Sequence, residues 1–170
     1  MQLSPRILSA PWQEASISVR SFDPIRTFLV DVGGYELVAE GDMAPEHLAY
    51  WRLSAQASAS FVFLRAPGTD HGYIRLIKFE GVEQQPIRVG ARAWDPGGYF
   101  SLMMRAKDLE GIYDKAIALG FQAESEPIRF LFEPTDGNPP SDLRNVVLKA
   151  PDGFVVPRRH NPRTVRVRVF

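Results

Sequence analysis

The feature that most constrains the fold of this chain is a short pattern of residues that occurs twice, at 16–23 and at 101–108. In each copy a serine begins an apolar segment typical of a β-strand, an arginine follows at the same spacing, and an aspartate closes the segment. Apolar residues at helical spacing come next and end at a glycine, so each aspartate is predicted to cap a helix. The two copies, ending at Asp23 and Asp108, therefore predict a duplicated strand–helix unit.

Further strand patterns follow each of these units. After the first they lie at 35–40, 61–65 and 73–79, and after the second at 121–124, 128–133, 145–149 and 154–158, with a Pro-Asp-Gly turn before the last. Each half of the chain is thus predicted to be a βαβββ module, and the fold class is α+β, with the two modules forming a curled mixed sheet around a cavity. The predicted boundaries are a lead-in at 1–14, modules at 15–80 and 99–158, a linker at 81–98, and a basic tail or edge strand at 159–170.

The amino-acid composition argues against several classes of function. Lysine and arginine total 20, as do aspartate and glutamate, so no net charge draws the molecule to nucleic acid or to a membrane surface. There is no cysteine for a disulfide, a thiolate metal site or a thiol nucleophile. No segment approaches the ~18 apolar residues of a membrane span, and the N-terminus has no apolar signal core. We therefore expect a cytoplasmic protein without nucleic-acid or membrane partners.

The arginine-rich C-terminal tail is the one strongly basic segment. Residues 164–170 alternate, with valine at 165, 167 and 169 on one face, which is typical of an edge strand. The tail has no interleaved aromatic platform for nucleic acid. We expect it to pair with another strand of the protein or with a second subunit.

The paired βαβββ modules, the Asp-capped helix ending at Leu119-Gly120 and the final strand–Pro-Asp-Gly–strand hairpin resemble the vicinal oxygen chelate superfamily. That group includes glyoxalase I, extradiol dioxygenases and the bleomycin resistance proteins. The resemblance implies that the modules enclose a cavity, which in relatives holds a divalent metal, and that the protein is a homodimer, as many relatives are. It identifies a fold better than a reaction.

The residues at the family's metal-binding positions predict that this chain lacks the metal cofactor. The resemblance implies a histidine at Ser16 or Ser101 and a carboxylate near Leu76 and Pro157, but the side chains present are poor ligands. The three histidines, His47, His71 and His160, have no metal-binding spacing.

Strand alternation predicts which side chains line the cavity. Five ligand-binding residues are expected there: Ser16, Arg20, Ser101, Met103 and Arg105. Arginine binds carboxylate and phosphate, so an acidic small molecule is the first ligand expected. Aromatic side chains are expected to supply a stacking wall for an aromatic one: Tyr35, Phe61, Phe63, Tyr73 and Tyr99.

Three functional alternatives stay open at this point. The first is a metal-free protein that binds or sequesters a small organic molecule. The second is an enzyme of the superfamily, either a lyase or isomerase or a dioxygenase. Candidate bases for it are Glu40, Asp70 and Glu80, although spacing singles out none as catalytic. The third is a scaffold with a structural or regulatory partner.

Overall fold

The computed structural model describes residues 12–85, 87, 89–90, 92, 102–105, 108–133 and 140–160, and only the backbone of 105, 132 and 156–160. Its strands and helices follow the predicted order. The first half contains β1 (Glu14–Ser18), α1 (Ile25–Thr27) continuing as a π-helix (Phe28–Val32), β2 (Glu36–Asp42), α2 (Pro45–Tyr50), β3 (Ser58–Arg65) and β4 (Tyr73–Glu80). The second half contains β5 (Met104–Arg105), α3 (Leu109–Ala118), β6 (Gln122–Ala123), β7 (Ile128–Phe132), β8 (Ser141–Lys149) and β9 (Val155–His160).

Two mixed sheets repeat one topology. In the first sheet the strand order is β1-β4-β3-β2, and in the second it is β5-β9-β8, with β6 and β7 both pairing with β8. The first strand of each module lies parallel to the last strand, while the other pairs are antiparallel. This arrangement confirms the predicted α+β fold with two βαβββ units.

One hydrophobic core extends through both halves of the chain. Ile17 of β1 and Val19, directly after β1, are buried as strand alternation predicts, and they share the core with both helical segments. Phe28 of the π-helix is fully buried, and its ring centroid lies 4.6 Å from that of Phe121, which follows α3. The helices therefore lie on the face of each sheet that carries this shared core.

The two repeated units differ at their helix starts. Asp108 caps α3 as predicted, because its carboxylate accepts a hydrogen bond of 2.9 Å from the backbone N–H of Gly111. The prediction for the first unit was wrong: Pro24, not Asp23, is the N-cap of α1, and no side chain accepts a capping hydrogen bond there. A three-residue α-helix that widens into a π-helix replaces the regular helix expected from the apolar spacing.

The short helix α2 covers one end of the opposite face of the first sheet. Leu48 of α2 packs with Ala59 of β3 and Ile77 of β4 in a second, smaller hydrophobic cluster. The ring of Trp51, directly after α2, meets Phe79 edge-on at 5.7 Å. The remainder of this face is not covered by α2.

Several predicted features lie outside the described residues, among them residues 1–11, Ser101 and the tail at 161–170. The proposed domain boundaries stay predictions. Within the described part of the chain, no helix is both long enough and apolar enough to span a bilayer.

Candidate functional site

An aromatic surface lies on the side of the first sheet that faces away from the helices. Because alternate residues of a strand point to opposite faces, burial of Val62, Leu64, Ile74 and Leu76 in the core places their neighbours on the other side. We call this surface the aromatic face and define it by six residues: Glu14, Ser16, Phe61, Phe63, Tyr73 and Arg75.

The rings of the aromatic face are half-buried and do not belong to either hydrophobic cluster. Phe63 and Tyr73 are stacked, with centroids 4.9 Å apart and planes 11° from parallel. Neither ring, nor that of Phe61, packs in the shared core or in the cluster under α2. Three large, partly accessible rings thus form an aromatic floor outside the two hydrophobic clusters of the described residues.

Arg75 of β4 lies over this floor. Its guanidinium carbon is 4.4 Å from the ring centroid of Phe63 and 5.1 Å from that of Phe61, both within cation–π range. Glu14 of the neighbouring strand β1 accepts two hydrogen bonds from it, 2.6 Å from Nε and 2.9 Å from Nη2. The carboxylate and the rings therefore hold the guanidinium in one orientation.

This ion pair shifts the titration of both groups. Hydrogen bonding to Arg75 lowers the pKa of Glu14 below its ordinary 4.5, against an opposing effect of burial. The bond to Glu14 in turn raises the pKa of Arg75. Glu14 is thus held ionised at neutral pH and is unsuited to act as a general base.

A second arginine extends the polar network to the other edge of the sheet. Arg65 of β3 donates a hydrogen bond of 2.7 Å to Glu36 of β2. Bonding to Glu36, and then to the Tyr73 hydroxyl, raises the pKa of Arg65. Its Nε atom is buried and has no hydrogen-bond partner within the described part of the chain. All four strands of the first sheet therefore contribute to one connected surface.

The Glu14–Arg75 pair predicts a specific dependence of stability on pH. Because the folded-state pKa of Glu14 is depressed, its contribution is fully present above 4.5 and is lost as pH falls through the lower folded value. We expect Glu14→Gln to lower the free energy of unfolding by about 1 kcal/mol near neutral pH, since the pair is partly exposed. Urea denaturation of both proteins from about pH 7 to about pH 3 should show this difference shrinking in acid.

The matched control is Glu46→Gln. Glu46 is an exposed carboxylate of α2 that has no ion-pair partner among the described residues, so its replacement should change stability little at any pH. A difference between wild type and Glu14→Gln that stays constant down to the acid limit would contradict the role assigned to the pair.

Of the predicted ligand-binding residues whose side chains the structure describes, Ser16 lies on the aromatic face, whereas Arg20 and Met103 do not. Ser16 lies beside Arg75 in the strand register, and its hydroxyl donates a hydrogen bond of 2.9 Å to Glu14. Arg20 follows the end of β1, is exposed, and donates from its backbone N–H to the Asp152 carboxylate at 3.2 Å.

The other three predicted residues belong to the second module. Met103 precedes β5 and is 63% exposed. The backbone of Arg105 pairs with that of Arg159, and Ser101 lies outside the described residues. The ligand-binding role of all five stays a prediction.

The residues of the predicted aromatic wall do not all lie on one surface. Phe61, Phe63 and Tyr73 lie together on the aromatic face, whereas Tyr35 packs against the shared core, so its assignment to the wall was wrong. Tyr99 lies outside the described residues. Arg75 and Glu14, which complete the site, were not predicted. The available signal was Arg75 itself, an arginine between the buried residues Ile74 and Leu76 of β4.

The residues present do not fit the metal that the fold family implies. Leu76, taken from the sequence as the carboxylate position, is fully buried in the core, and the β4 residue beside Ser16 is the cation Arg75. A hydroxyl group next to a fixed guanidinium is a poor environment for a divalent ion. No group of three or more histidine, cysteine, aspartate or glutamate side chains suited to a metal occurs among the residues the structure describes.

The three candidate bases each contact a basic side chain at the surface. Glu40 pairs with Arg26 at 3.0 Å, and Glu80 with Lys78 at 2.9 Å. Asp70 lies 2.8 Å from His71, and its hydrogen bond to this residue lowers the pKa of Asp70, whereas a general base acting near neutral pH needs a raised one. None of the three lies on the aromatic face.

Solved structures share this architecture. A glyoxalase family protein from Bacillus cereus superposes with a TM-score of 0.71 over 94% of this chain and 99% of its own, at 15% identity. Glyoxalase I from Zea mays matches 91% of this chain with a TM-score of 0.56 and 15% identity, and this chain covers 45% of the maize enzyme.

A third match is the trypanothione-dependent glyoxalase I of Leishmania major, with a TM-score of 0.54 at 14% identity over 88% of this chain and 86% of that one. No protein-family model matches the sequence, and no curated protein matches it significantly. Identities this low describe a fold and not an activity. With two βαβββ units of one topology and these structural neighbours, the chain has the glyoxalase-like, vicinal oxygen chelate fold.

Proposed function

We propose that this protein binds a small aromatic organic molecule at the aromatic face, in the cavity between its modules, without a metal ion. The observation that carries the proposal is the stacked Phe63–Tyr73 pair with Phe61 beside it, half-buried and outside both hydrophobic clusters. Partly accessible apolar patches on a protein surface often mark a binding site. A planar ligand would complete the burial of the three rings.

The metal-free part of the proposal is supported by the charges already present. Arg75 places a permanent positive charge beside Ser16, and Glu14 is committed to that guanidinium through two hydrogen bonds. A divalent cation at this position would have to displace the arginine and break both bonds. An acidic group on the ligand meets no such obstacle.

Binding, not turnover, is the activity that the described side chains support. An alternative lyase, isomerase or dioxygenase would need a base or a metal at the site, and the carboxylate of the aromatic face has a lowered pKa. We further propose a cytoplasmic homodimer, in which the alternating tail at 164–170 supplies a strand to an edge of the second subunit.

Calorimetric titration with the neutral aromatic probe 2-naphthamide tests this function. We expect saturable binding with one site per chain, unchanged by EDTA, and about tenfold weaker binding for Phe63→Ala because that variant loses one member of the stacked pair. Far-ultraviolet circular dichroism of the variant should match that of wild type.

The matched control is Phe130→Ala. Phe130 is a partly exposed phenylalanine of β7 in the second sheet, and its replacement should leave the affinity for 2-naphthamide unchanged. Absence of saturable binding to the wild-type protein would overturn the proposal. Loss of binding in EDTA would overturn its metal-free part.

A further inference from the structure

Arg75 has hydrogen-bond donors that the described residues do not use. A guanidinium carries five N–H groups, and Glu14 engages only the Nε edge, through Nε and Nη2. No described residue accepts a hydrogen bond from Nη1. The opposite edge, made of Nη1 and the second N–H of Nη2, therefore has no protein acceptor within the described part of the chain.

The position of this edge is fixed before any ligand arrives. Two hydrogen bonds hold the Nε side, and the rings of Phe63 and Phe61 lie against the guanidinium at 4.4 and 5.1 Å. The side chain is nevertheless 25% exposed. A donor pair that is rigid, accessible and adjacent to an aromatic floor loses little conformational entropy when it binds an acceptor.

We propose that the free edge of Arg75 binds the carboxylate of the ligand, so that the ligand class is a planar aromatic carboxylate. The assignment rests on the proposed function, because the aromatic floor must hold the ring while the arginine holds the acid. A carboxylate matches the two parallel N–H groups of the edge, and a flat ring attached to it extends over Phe63 and Tyr73. Glu14 is then a positioning residue, since it touches the arginine and not the ligand.

The two arginines of the first sheet, Arg65 and Arg75, each have a carboxylate partner. Glu14 neutralises Arg75, and Glu36 neutralises Arg65. Arg20, exposed just beyond the end of β1, has no acidic partner for its side chain among the described residues. The carboxylate of Asp152 lies at the backbone of Arg20, so the acid of the ligand is recognised by the hydrogen-bond donors of Arg75 and not by a net positive charge of the sheet.

The test compares 2-naphthoate with 2-naphthamide, which have the same ring system and nearly the same shape and differ in charge. Wild type is expected to bind 2-naphthoate about tenfold more tightly, the range of one charge-assisted hydrogen-bonded pair. Arg75→Gln should abolish this preference, so that the variant binds the two probes with equal affinity. The matched control is Arg129→Gln, because Arg129 makes the same two-pronged contact with Asp142 in the second sheet and should leave the preference intact.

Arg75→Gln leaves Glu14 without its partner, so the double variant Glu14→Gln/Arg75→Gln repeats the comparison with no uncompensated charge. Equal affinity of wild type for the two probes, or a preference that survives in both variants, would overturn the carboxylate assignment and leave aromatic binding in place. Failure of wild type to bind either probe would instead overturn the proposed function itself. The two failures are therefore distinguishable.

Discussion

Phe28→Ala is expected to lower the free energy of unfolding by about 3–5 kcal/mol, the range observed when a buried aromatic ring is truncated. Phe28 is 0% exposed, and its ring lies 4.6 Å from that of Phe121 in the other half of the chain. Removal of the ring leaves a cavity between the π-helix and the segment after α3, where neighbouring side chains already fill their space. Urea denaturation followed by circular dichroism measures the effect.

The control for this substitution is Phe130→Ala in β7, where the ring is 39% exposed and the expected loss is below about 1 kcal/mol. Since the core containing Phe28 is continuous between the halves, the loss should appear as one cooperative transition shifted to lower denaturant. Two separated transitions, of which only one moves, would contradict a shared core. A loss of unfolding free energy for Phe28→Ala no larger than that for Phe130→Ala would also contradict a shared core.

The fold was predictable because its signals are local and repeated. The helix-capping role of Asp108 and the alternating burial of Ile17 and Val19 depend only on neighbouring residues, and both were found as expected. The prediction failed where packing against the second module also determines the local structure. The spacing after Asp23 favours a regular helix, but the observed segment widens into a π-helix as Phe28 and Leu29 enter the core shared with the second module.

The site was less predictable because it depends on which residues of different strands lie side by side. The sequence places Arg75 in the last strand of the first module but assigns Glu14 to the lead-in at 1–14. Their contact depends on a strand β1 that begins at Glu14 and on the parallel register that aligns Ser16 with Arg75. A register error of one residue exchanges the two faces of a strand. That error placed Leu76, a core residue, at the predicted ligand position and left its neighbour Arg75 unnoticed.

The same dependence on register explains why the predicted arginine pair differs from the observed site. Arg20 and Arg105 occupy equivalent positions of the repeat and were therefore assigned one role. In the structure, Arg20 follows the end of β1, where its backbone contacts Asp152 of the final hairpin, while Arg105 lies within β5. The sequence repeat correctly predicted that each module begins with an equivalent strand. Contacts between the modules nevertheless give equivalent residues, such as Arg20 and Arg105, different surroundings.

Gly81→Ala is expected to lower the free energy of unfolding by about 2–3 kcal/mol, because the substitution combines backbone strain with a steric clash. Gly81 has a φ of +70°, and a β-carbon there would lie 2.7 Å from the backbone oxygen of Gln56. Gly34 has a φ of +72° with no atom within 4 Å of such a carbon, so Gly34→Ala isolates the strain and should cost about 1 kcal/mol.

The excess cost of Gly81→Ala over Gly34→Ala measures the close approach of Gln56, which precedes β3, to the residue that follows β4. These two strands carry Phe61, Phe63, Tyr73 and Arg75, so relief of the clash by separating them would also disturb the aromatic face. We therefore expect Gly81→Ala, and not Gly34→Ala, to weaken binding of 2-naphthamide measurably under conditions in which both variants stay folded. Equal stability losses for the two variants would show that the segment before β3 moves away without cost.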